Sequence, residues 1–144
     1  VVLTPMKETA APAAALVRAA WEACGARVSE LRADEHDVVF AAVSHLPHLL
    51  SFALVDELAS RSNGEQIFSF AGGGFRDFTR IASSNPEMWR DIFLSNRRAV
   101  AEELSRYRGK LAELQRLLEA GDAEALEALF DRSGAARERW LCKE

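Results

Sequence analysis

The hydrophobic residues of this chain recur mostly at helical spacing, and one stretch is apolar on nearly every side. Residues 38–59 predict a helix of this kind, which indicates burial on several sides. Because one small domain can hardly cover such a helix, we expect a second copy of the chain to cover it in a homodimer. Histidines, a proline and acidic residues interrupt the stretch, whereas a membrane-spanning helix needs ~20 predominantly apolar residues with few charges. We therefore interpret it as a buried core helix and expect no membrane contact.

The first part of the chain, residues 1–33, predicts a strand, a helix and a second strand. The apolar runs at residues 1–3 and 26–32 are the predicted strands. The helix between them has its expected cap, first-turn proline and stop at Thr9, Pro12 and Gly25. One βαβ unit cannot close a hydrophobic sheet alone, so we expect it to end a larger α/β domain that lies upstream.

From residue 34 the pattern predicts helices only, and residues 34–144 are expected to form a helical domain. Asp34 is predicted to cap its first helix, and Pro47 to kink that helix because proline removes a backbone donor. Gly64 is expected to end it, and Asn85 to cap a later helix ahead of a first-turn proline. The predicted fold class is therefore mainly α, with a short N-terminal βαβ unit.

The last third of the chain predicts two helices joined by a tight turn. Apolar residues recur at alternating spacings of four and three, at Val100, Leu104, Tyr107, Leu111, Leu114 and Leu118. Gly121 and Asp122 are expected to end this helix and to cap the next one. The second helix is predicted to pack back as a hairpin through Leu126, Leu129 and Phe130, with Trp140 and Leu141 continuing that face. The short connection favours packing within the chain over a second contact between copies.

Composition and charge exclude several classes of function. A net charge of −4 and a pI near 5.5 argue against nucleic acid, since nucleic-acid-binding domains usually carry a basic stripe. Cys24 and Cys142 lack metal-ligand spacing, so reduced thiols, with neither a zinc site nor a disulfide framework, are expected. No signal-peptide pattern opens the chain, and we expect a cytoplasmic protein.

Residues 70–89 carry the chain's most distinctive chemistry. Three successive glycines, residues 72–74, imply that either a sharp turn or a close-approaching ligand needs a bare backbone there. Arg76, Asp77 and Arg80 follow, and a helix over residues 75–82 would place the two arginines on one face. With aromatic rings nearby, this combination is suited to an aromatic carboxylic acid, although a glycine-rich turn before a surface helix fits equally well.

His45 and His48 are three residues apart and therefore neighbours on one helix face. A metal site would need further ligands that the sequence does not supply, so no metal is expected. The histidines are either satisfied core residues or, aimed at a cavity by the distortion at Pro47, donors to a ketone or carboxylate.

Three separate stretches together indicate a family. GGGFRDFTRIASSNPEMWRDI at residues 72–92, the pair His36-Asp37 and SHLPH at residues 44–48 resemble the C-terminal part of prephenate and arogenate dehydrogenases. The resemblance covers most of the chain and is densest over residues 36–96. It implies that residues 1–33 end a Rossmann-type dinucleotide-binding domain and that residues 34–144 form a dimerisation and substrate-binding domain.

The resemblance also implies roles for individual residues. Arg80 matches the arginine that binds a substrate carboxylate, and the other residues that match the substrate pocket are His45, His48, Gly73 and Trp89. Arg76 and Asp77 match a charged gate at the mouth of the pocket, although a solvated surface pair fits nearly as well. His36 and Asp37 are expected to hold the domain junction. The catalytic histidine and the cofactor-binding residues of the family have no counterpart in this chain.

The function implied is that of a segment of a prephenate or arogenate dehydrogenase, which oxidatively decarboxylates its substrate with NAD or NADP in tyrosine biosynthesis. The segment alone is expected to be inactive, and tyrosine is a candidate feedback ligand. One alternative is a free-standing helical dimer that senses tyrosine or a related aromatic acid, and a weaker one is a purely structural dimerisation module. The sequence does not separate prephenate from arogenate, or NAD from NADP.

Overall fold

The computed structural model describes residues 1–142, and most of them are helical. The elements in chain order are β1 (Val2–Leu3), α1 (Ala11–Ala23), β2 (Ser29–Glu30), α2 (Ala33–Phe40), a π-helical segment (Ala41–His45), α3 (Leu46–Ala59), α4 (Gly64–Ser69), α5 (Gly73–Thr79), a 3₁₀ segment (Arg80–Ser83), α6 (Pro86–Ser95), α7 (Arg97–Ala120) and α8 (Ala123–Leu141). The predicted fold, mainly α with a short N-terminal βαβ unit, is confirmed.

The chain forms two compact units. The first comprises Val1–Glu103, and the second begins at Leu104 within α7. The predicted boundary between residues 33 and 34 concerns a different division, between two domains of a larger protein, and stays a prediction.

At the N-terminus, β1 and β2 form a parallel pair, and α1 connects them. Val2 lies opposite Ser29 and Leu3 opposite Glu30. The predicted second strand, residues 26–32, shortens to two residues in the described chain. Gly25 ends α1 with a φ of 81°, a left-handed conformation that favours glycine, as predicted.

Two predicted helix caps are wrong. Ala10 occupies the N-cap of α1, while the hydroxyl of Thr9 accepts a hydrogen bond from the Met6 backbone N–H at 2.9 Å. At α2 the N-cap is Arg32 rather than Asp34. Glu35 accepts from the Arg32 backbone N–H at 3.2 Å. The sequence pattern favoured the short polar side chains, whereas the local hydrogen bonds set each helix to begin elsewhere.

Asp34 instead lies in the first turn of α2, where its carboxylate is bound by the Arg32 guanidinium. These hydrogen bonds lower the pKa of the Asp34 carboxyl from its ordinary value. Negative charge in the first helical turn also suits the positive end of the helix dipole.

Residues 33–59 form one continuous helix of 27 residues. Its middle is π-helical, and there the Leu46 N–H bonds the Ala41 carbonyl five residues earlier. This departure from α-helical geometry ends at His45, two residues before Pro47, where the sequence predicted a distortion. The helix is long and apolar enough to cross a membrane, a property that core helices of soluble proteins share, yet only 22% of its most apolar stretch is buried within this chain.

Gly64 does not end this helix as predicted. The helix stops at Ala59, and Gly64 begins α4 in a buried position against the end of α3. A Cβ at Gly64 would lie 2.8 Å from the Leu58 carbonyl oxygen and 3.1 Å from that of Ala59. Close approach of two backbone segments, rather than a turn conformation, therefore requires glycine here.

The segment that carries the predicted arginines packs against α3. The helix considered over residues 75–82 is divided, because α5 ends at Thr79 and a 3₁₀ segment begins at Arg80. Ser51 of α3 is fully buried, and its hydroxyl donates to the Phe78 carbonyl at 3.3 Å. This hydrogen bond fixes the end of α5 to the long helix.

The later helices begin as predicted. Asn85 caps α6 by accepting from the Met88 N–H at 2.9 Å, and Asp122 caps α8 by accepting from the Ala125 N–H at 3.0 Å. Gly121 has a φ of 64° in the turn between α7 and α8.

In the second unit the predicted hairpin residues are only partly covered. Leu126 and Leu129 are half-buried, whereas Phe130, Trp140 and Leu141 stay exposed, so the predicted continuation through the last two is wrong within this chain.

The tight contact at Gly64 generates a stability prediction. Gly64→Ala should lower the free energy of unfolding by about 1–3 kcal/mol, because the new methyl group overpacks two backbone carbonyls. Gly109→Ala is the matched control, since Gly109 lies inside α7 with open space at its Cβ position. That change should raise stability by up to about 1 kcal/mol. Urea unfolding followed by circular dichroism measures both, and equal unfolding midpoints would contradict the prediction.

Candidate functional site

The centre of the candidate site is Trp89 of α6, of which 7% is exposed. The His48 imidazole stacks on the indole with a centroid distance of 3.6 Å and an interplanar angle of 22°. His45 meets the same indole edge-on at 6.2 Å, and Phe93 lies 5.4 Å from it on the following turn. The structure thus brings three of the predicted site residues, His45, His48 and Trp89, into one aromatic cluster.

The backbone orients His48. Its Nδ1 lies 2.9 Å from the Ser44 carbonyl oxygen, one turn earlier in the helix. A carbonyl oxygen can only accept, so Nδ1 carries the proton and donates it. In the neutral ring, Nε2 is then the remaining polar atom and has a free lone pair.

Asn96 ties His45 to a distant part of the chain. The Asn96 side-chain Nδ2 lies 3.2 Å from His45 Nδ1 and 2.8 Å from the Asp37 carbonyl oxygen. These partners are 51 and 59 residues away in sequence, on the long helix. Asn96 itself lies between α6 and α7, so one amide group links three elements.

The pKa of His45 is lowered from its ordinary value. Burial is the largest cause, followed by the nearby His36 ring, and the His48 ring acts in the same direction. The Asp37 carboxylate opposes them. The shift favours the neutral form of the His45 ring.

His36 and Asp37 lie beside this cluster. His36 Nδ1 is 3.1 Å from Asp37 Oδ1, and the imidazole stacks on Phe40 with centroids 4.3 Å apart. A cavity of about 530 Å³ joins these residues to the histidine site. It is lined by His36, Asp37, His45, Met88, Asp91, Ile92, Ser95 and Asn96. Whether His36 and Asp37 also hold a domain junction stays a prediction.

The indole N–H of Trp89 is buried and has no hydrogen-bond partner among residues 1–142. Leaving a buried donor unsatisfied costs about 1–3 kcal/mol, so such a group calls for an explanation. A polar atom of a ligand, or a bound water, would explain it by accepting a hydrogen bond from the indole N–H. The ring also lines a second cavity of about 210 Å³, together with Phe52, Pro86, Arg90 and Phe93.

The predicted charged residues lie apart from this cluster. Arg76, Asp77 and Arg80 are all exposed. In the part of the chain that the structure describes, no hydrogen bond, ion pair or ring contact joins any of the three to another side chain. Arg76 and Asp77 are therefore solvated surface residues without an ion pair between them, which agrees with the surface alternative, and their role as a gate stays a prediction. The guanidinium of Arg80 is available to an anion.

The three glycines ahead of these arginines have open space around them. Gly72 has an extended backbone with a φ of −94°, and none of residues 72–74 has a positive φ. A Cβ added at Gly73 would meet nothing within 4 Å, and the same holds for Gly72 and Gly74. Gly72 is the N-cap of α5, so a glycine-rich start to a surface helix fits this conformation. Close approach by a ligand or another chain fits it as well, and both explanations stay open.

Neither a metal site nor a dinucleotide site is built by the described residues. No group of three or more histidine, cysteine, aspartate or glutamate side chains between residues 1 and 142 could hold a metal ion. The connection from β1 to α1, residues 4–10, contains no glycine, although a pyrophosphate cradle at that place depends on glycines. The residues present do not fit a nicotinamide dinucleotide.

Asn96 is the site residue that the sequence prediction missed. It ends the densest part of the predicted resemblance, but nothing in its local pattern distinguishes it from an ordinary residue at a helix end. Its partners lie more than 50 residues away, so only the tertiary structure reveals the contact.

Known proteins resemble this chain over nearly its whole length. Residues 32–132 match the family described as prephenate dehydrogenase, dimerization domain. The cyclohexadienyl dehydrogenase of Zymomonas mobilis is 34% identical over 139 residues, which are 95% of this chain and 47% of that protein.

Solved structures agree with the sequence matches. Prephenate dehydrogenase from Aquifex aeolicus, in complex with hydroxyphenyl propionate and NAD+, superposes with a TM-score of 0.84 at 42% identity. The match covers 95% of this chain and 49% of that one. Synechocystis arogenate dehydrogenase gives a TM-score of 0.83 at 30% identity, covering 96% of this chain and 51% of that one.

The chain spans about half the length of these relatives. Its helical fold, its motifs and the match over residues 32–132 all point the same way. This chain belongs to the prephenate dehydrogenase family and contains that family's dimerization domain.

Proposed function

We propose that this chain is the C-terminal segment of an NAD- or NADP-dependent prephenate or arogenate dehydrogenase, and that it supplies the dimer interface and the binding site for the substrate carboxylate. The observation that carries the proposal is the superposition of 95% of the chain on half of an enzyme solved with hydroxyphenyl propionate and NAD+. Residues 1–33 would be the end of the dinucleotide-binding domain, and residues 34–144 the dimerisation domain. A cytoplasmic location, and tyrosine as a feedback ligand, belong to the same proposal.

The whole enzyme would convert prephenate to 4-hydroxyphenylpyruvate by oxidative decarboxylation. A hydride leaves the ring carbon that bears the hydroxyl, carbon dioxide leaves the ring, and the ring becomes aromatic. NAD or NADP would accept the hydride when bound elsewhere in the protein, because the residues described here do not fit it. This chain would hold and orient the substrate.

Arg80 is proposed to bind a substrate carboxylate. Its guanidinium is exposed and unpaired within residues 1–142, and a planar fork of donors suits a carboxylate better than a point charge does. The open backbone at Gly73 would allow close approach of the ligand. Arg76 and Asp77 would form a gate at the mouth of the pocket.

The aromatic cluster would complete the pocket. Trp89 offers an indole N–H that lacks a partner in the described chain, and His45 and His48 each have one ring nitrogen free. Within residues 1–142, no hydrogen bond, ion pair or ring contact joins Arg80 to this cluster. A second copy or the rest of the enzyme would therefore be needed to close the pocket.

The homodimer is supported by the uncovered long helix. Val38, Val39 and Val43 are 53%, 44% and 68% exposed, on a helix of which little is buried in one chain. Burial of this apolar surface by a second copy is favourable by roughly 25 cal/mol per Å².

The proposed activity has a direct test. The protein purified from its native source should have an intact mass about twice the 15.9 kDa of this chain, since a dinucleotide-binding domain of ordinary size must be attached. It should reduce NAD or NADP in the presence of prephenate or arogenate. A native mass of 15.9 kDa would contradict the proposal and favour a sensor of aromatic acids.

The proposed interface predicts the effect of a charge on the long helix. Val43→Glu should weaken dimerisation by about 100-fold or more, because the interface would bury an unpaired carboxylate. Leu16→Glu on α1 is the matched control, since Leu16 is 72% exposed and lies outside the proposed dimerisation domain. Sedimentation equilibrium measures both. A Val43→Glu protein that dimerises as tightly as the unmodified one would remove this helix from the interface.

The proposed carboxylate site predicts unequal roles for the two arginines. Arg80→Ala in the whole protein should weaken binding of hydroxyphenyl propionate by about 10- to 150-fold, the loss of one charge-assisted contact of roughly 1.5–3 kcal/mol. Arg76→Ala should change the Kd by about threefold or less, because a gate residue at the mouth of the pocket would stay in water, where a charge contact contributes little. Isothermal titration calorimetry compares them, and equal losses would overturn the assignment to Arg80.

A further inference from the structure

The contact between Asn96 and His45 determines where the histidine carries its proton. The Asn96 group that lies 2.8 Å from the Asp37 carbonyl oxygen must be its NH₂, because a carbonyl only accepts. The same NH₂ lies 3.2 Å from His45 Nδ1. An amide NH₂ donates and does not accept, so His45 Nδ1 is the acceptor and carries no proton. The proton of the neutral ring is therefore on Nε2.

The neighbouring histidine has the opposite arrangement. His48 donates from Nδ1 to the Ser44 carbonyl oxygen, which leaves Nε2 as its lone-pair atom in the neutral ring. Neither Nε2 has a hydrogen-bond partner in the described part of the chain. The pair therefore presents one free donor, at His45, and one free acceptor, at His48.

We propose that Asn96 is a positioning residue that holds His45 as a neutral imidazole with its proton on Nε2, so that the histidine pair offers a bound ligand one donor and one acceptor. This inference rests on the proposed function, since it takes the pair to line the ligand pocket. It assigns the hydrogen bond to a keto or carboxylate oxygen of the ligand to His45. Neutral His48 cannot make that bond, because its own proton is used on the backbone.

The charges around His45 agree with this assignment. Protonation of Nδ1 would break the hydrogen bond from Asn96, so this bond favours the neutral His45 ring. Burial and the His36 and His48 rings also favour the neutral form. Asp37 acts in the opposite direction, and Asp91 lines the same cavity. These groups are unchanged in variants of Asn96, so a change in His45 titration in such a variant reports on the amide.

The test is to observe the histidine rings directly in the whole protein that carries this chain. Long-range ¹H–¹⁵N spectra distinguish the two neutral forms of imidazole, and His45 and His48 can be assigned by the loss of their signals in His45→Gln and His48→Gln. We expect the proton of His45 on Nε2 and that of His48 on Nδ1. A proton on Nδ1 of His45 in the unmodified protein would overturn the proposal, whatever the activity.

Asn96→Asp reverses the hydrogen bond. Its carboxylate accepts instead of donating, so it should move the His45 proton to Nδ1 and raise the His45 pKa by about one unit or more. In the proposed enzyme, the acidic limb of kcat/KM against pH should move upward by the same amount. A residue that only holds the fold would lower kcat/KM evenly at all pH values, and that result would contradict a positioning role.

Two further variants keep the test decisive. Asn96→Ala removes the amide without adding charge, and it should leave His45 as a mixture of both neutral forms if Asn96→Asp does not fold. Asn63→Asp makes the same chemical change at an exposed residue that makes no capping hydrogen bond, and it should leave the His45 proton and pKa unchanged. An Asn96→Ala protein whose His45 stays wholly protonated on Nε2 would contradict the proposal. If the expected proton positions are seen but no dehydrogenase activity, the proposed function fails while the assignment of Asn96 is supported.

Discussion

The structure depends on one constraint, the apolar surface of the 27-residue helix Ala33–Ala59. A chain of this size buries little of that helix, and burial of apolar surface is the main favourable term in folding and association. The same helix carries His45 and His48, so the site lies on the element whose apolar surface is left exposed by its own chain. In the proposed homodimer, association and site formation would therefore depend on the same surface.

Within the site, two imidazole rings pack beside a buried indole, so their ring nitrogens need hydrogen-bond partners. Stacking His48 on Trp89 removes one face of the imidazole from water, and its Nδ1 then bonds the backbone of the π-helical segment. His45 Nδ1 accepts a hydrogen bond from the Asn96 amide. A π-helical segment is often found at functional sites, and here it ends at His45, two residues before the proline that lies between the two histidines.

The exposed segment that carries Arg80 has the opposite character. Arg80 and the glycines at residues 72–74 lie on the surface, and a Cβ added at any of these glycines would meet nothing within 4 Å. Three glycines lose more conformational entropy on folding than other residues would, and neither their φ values nor their neighbours require them. A glycine-rich start to the surface helix α5 fits these residues, and so does the close approach of a ligand or a second chain.

The sequence by itself determined the helical class, the βαβ unit, the caps at Asn85 and Asp122 and the family, because these depend on local hydrogen bonds, periodicity and motifs. It also selected His45, His48 and Trp89, which the fold brings together. Only the tertiary structure decided that Gly64 serves a close backbone approach and that Asn96 bonds His45. The physical reason is distance along the chain. Local patterns encode interactions within a few residues, whereas these contacts form only after separate helices have packed.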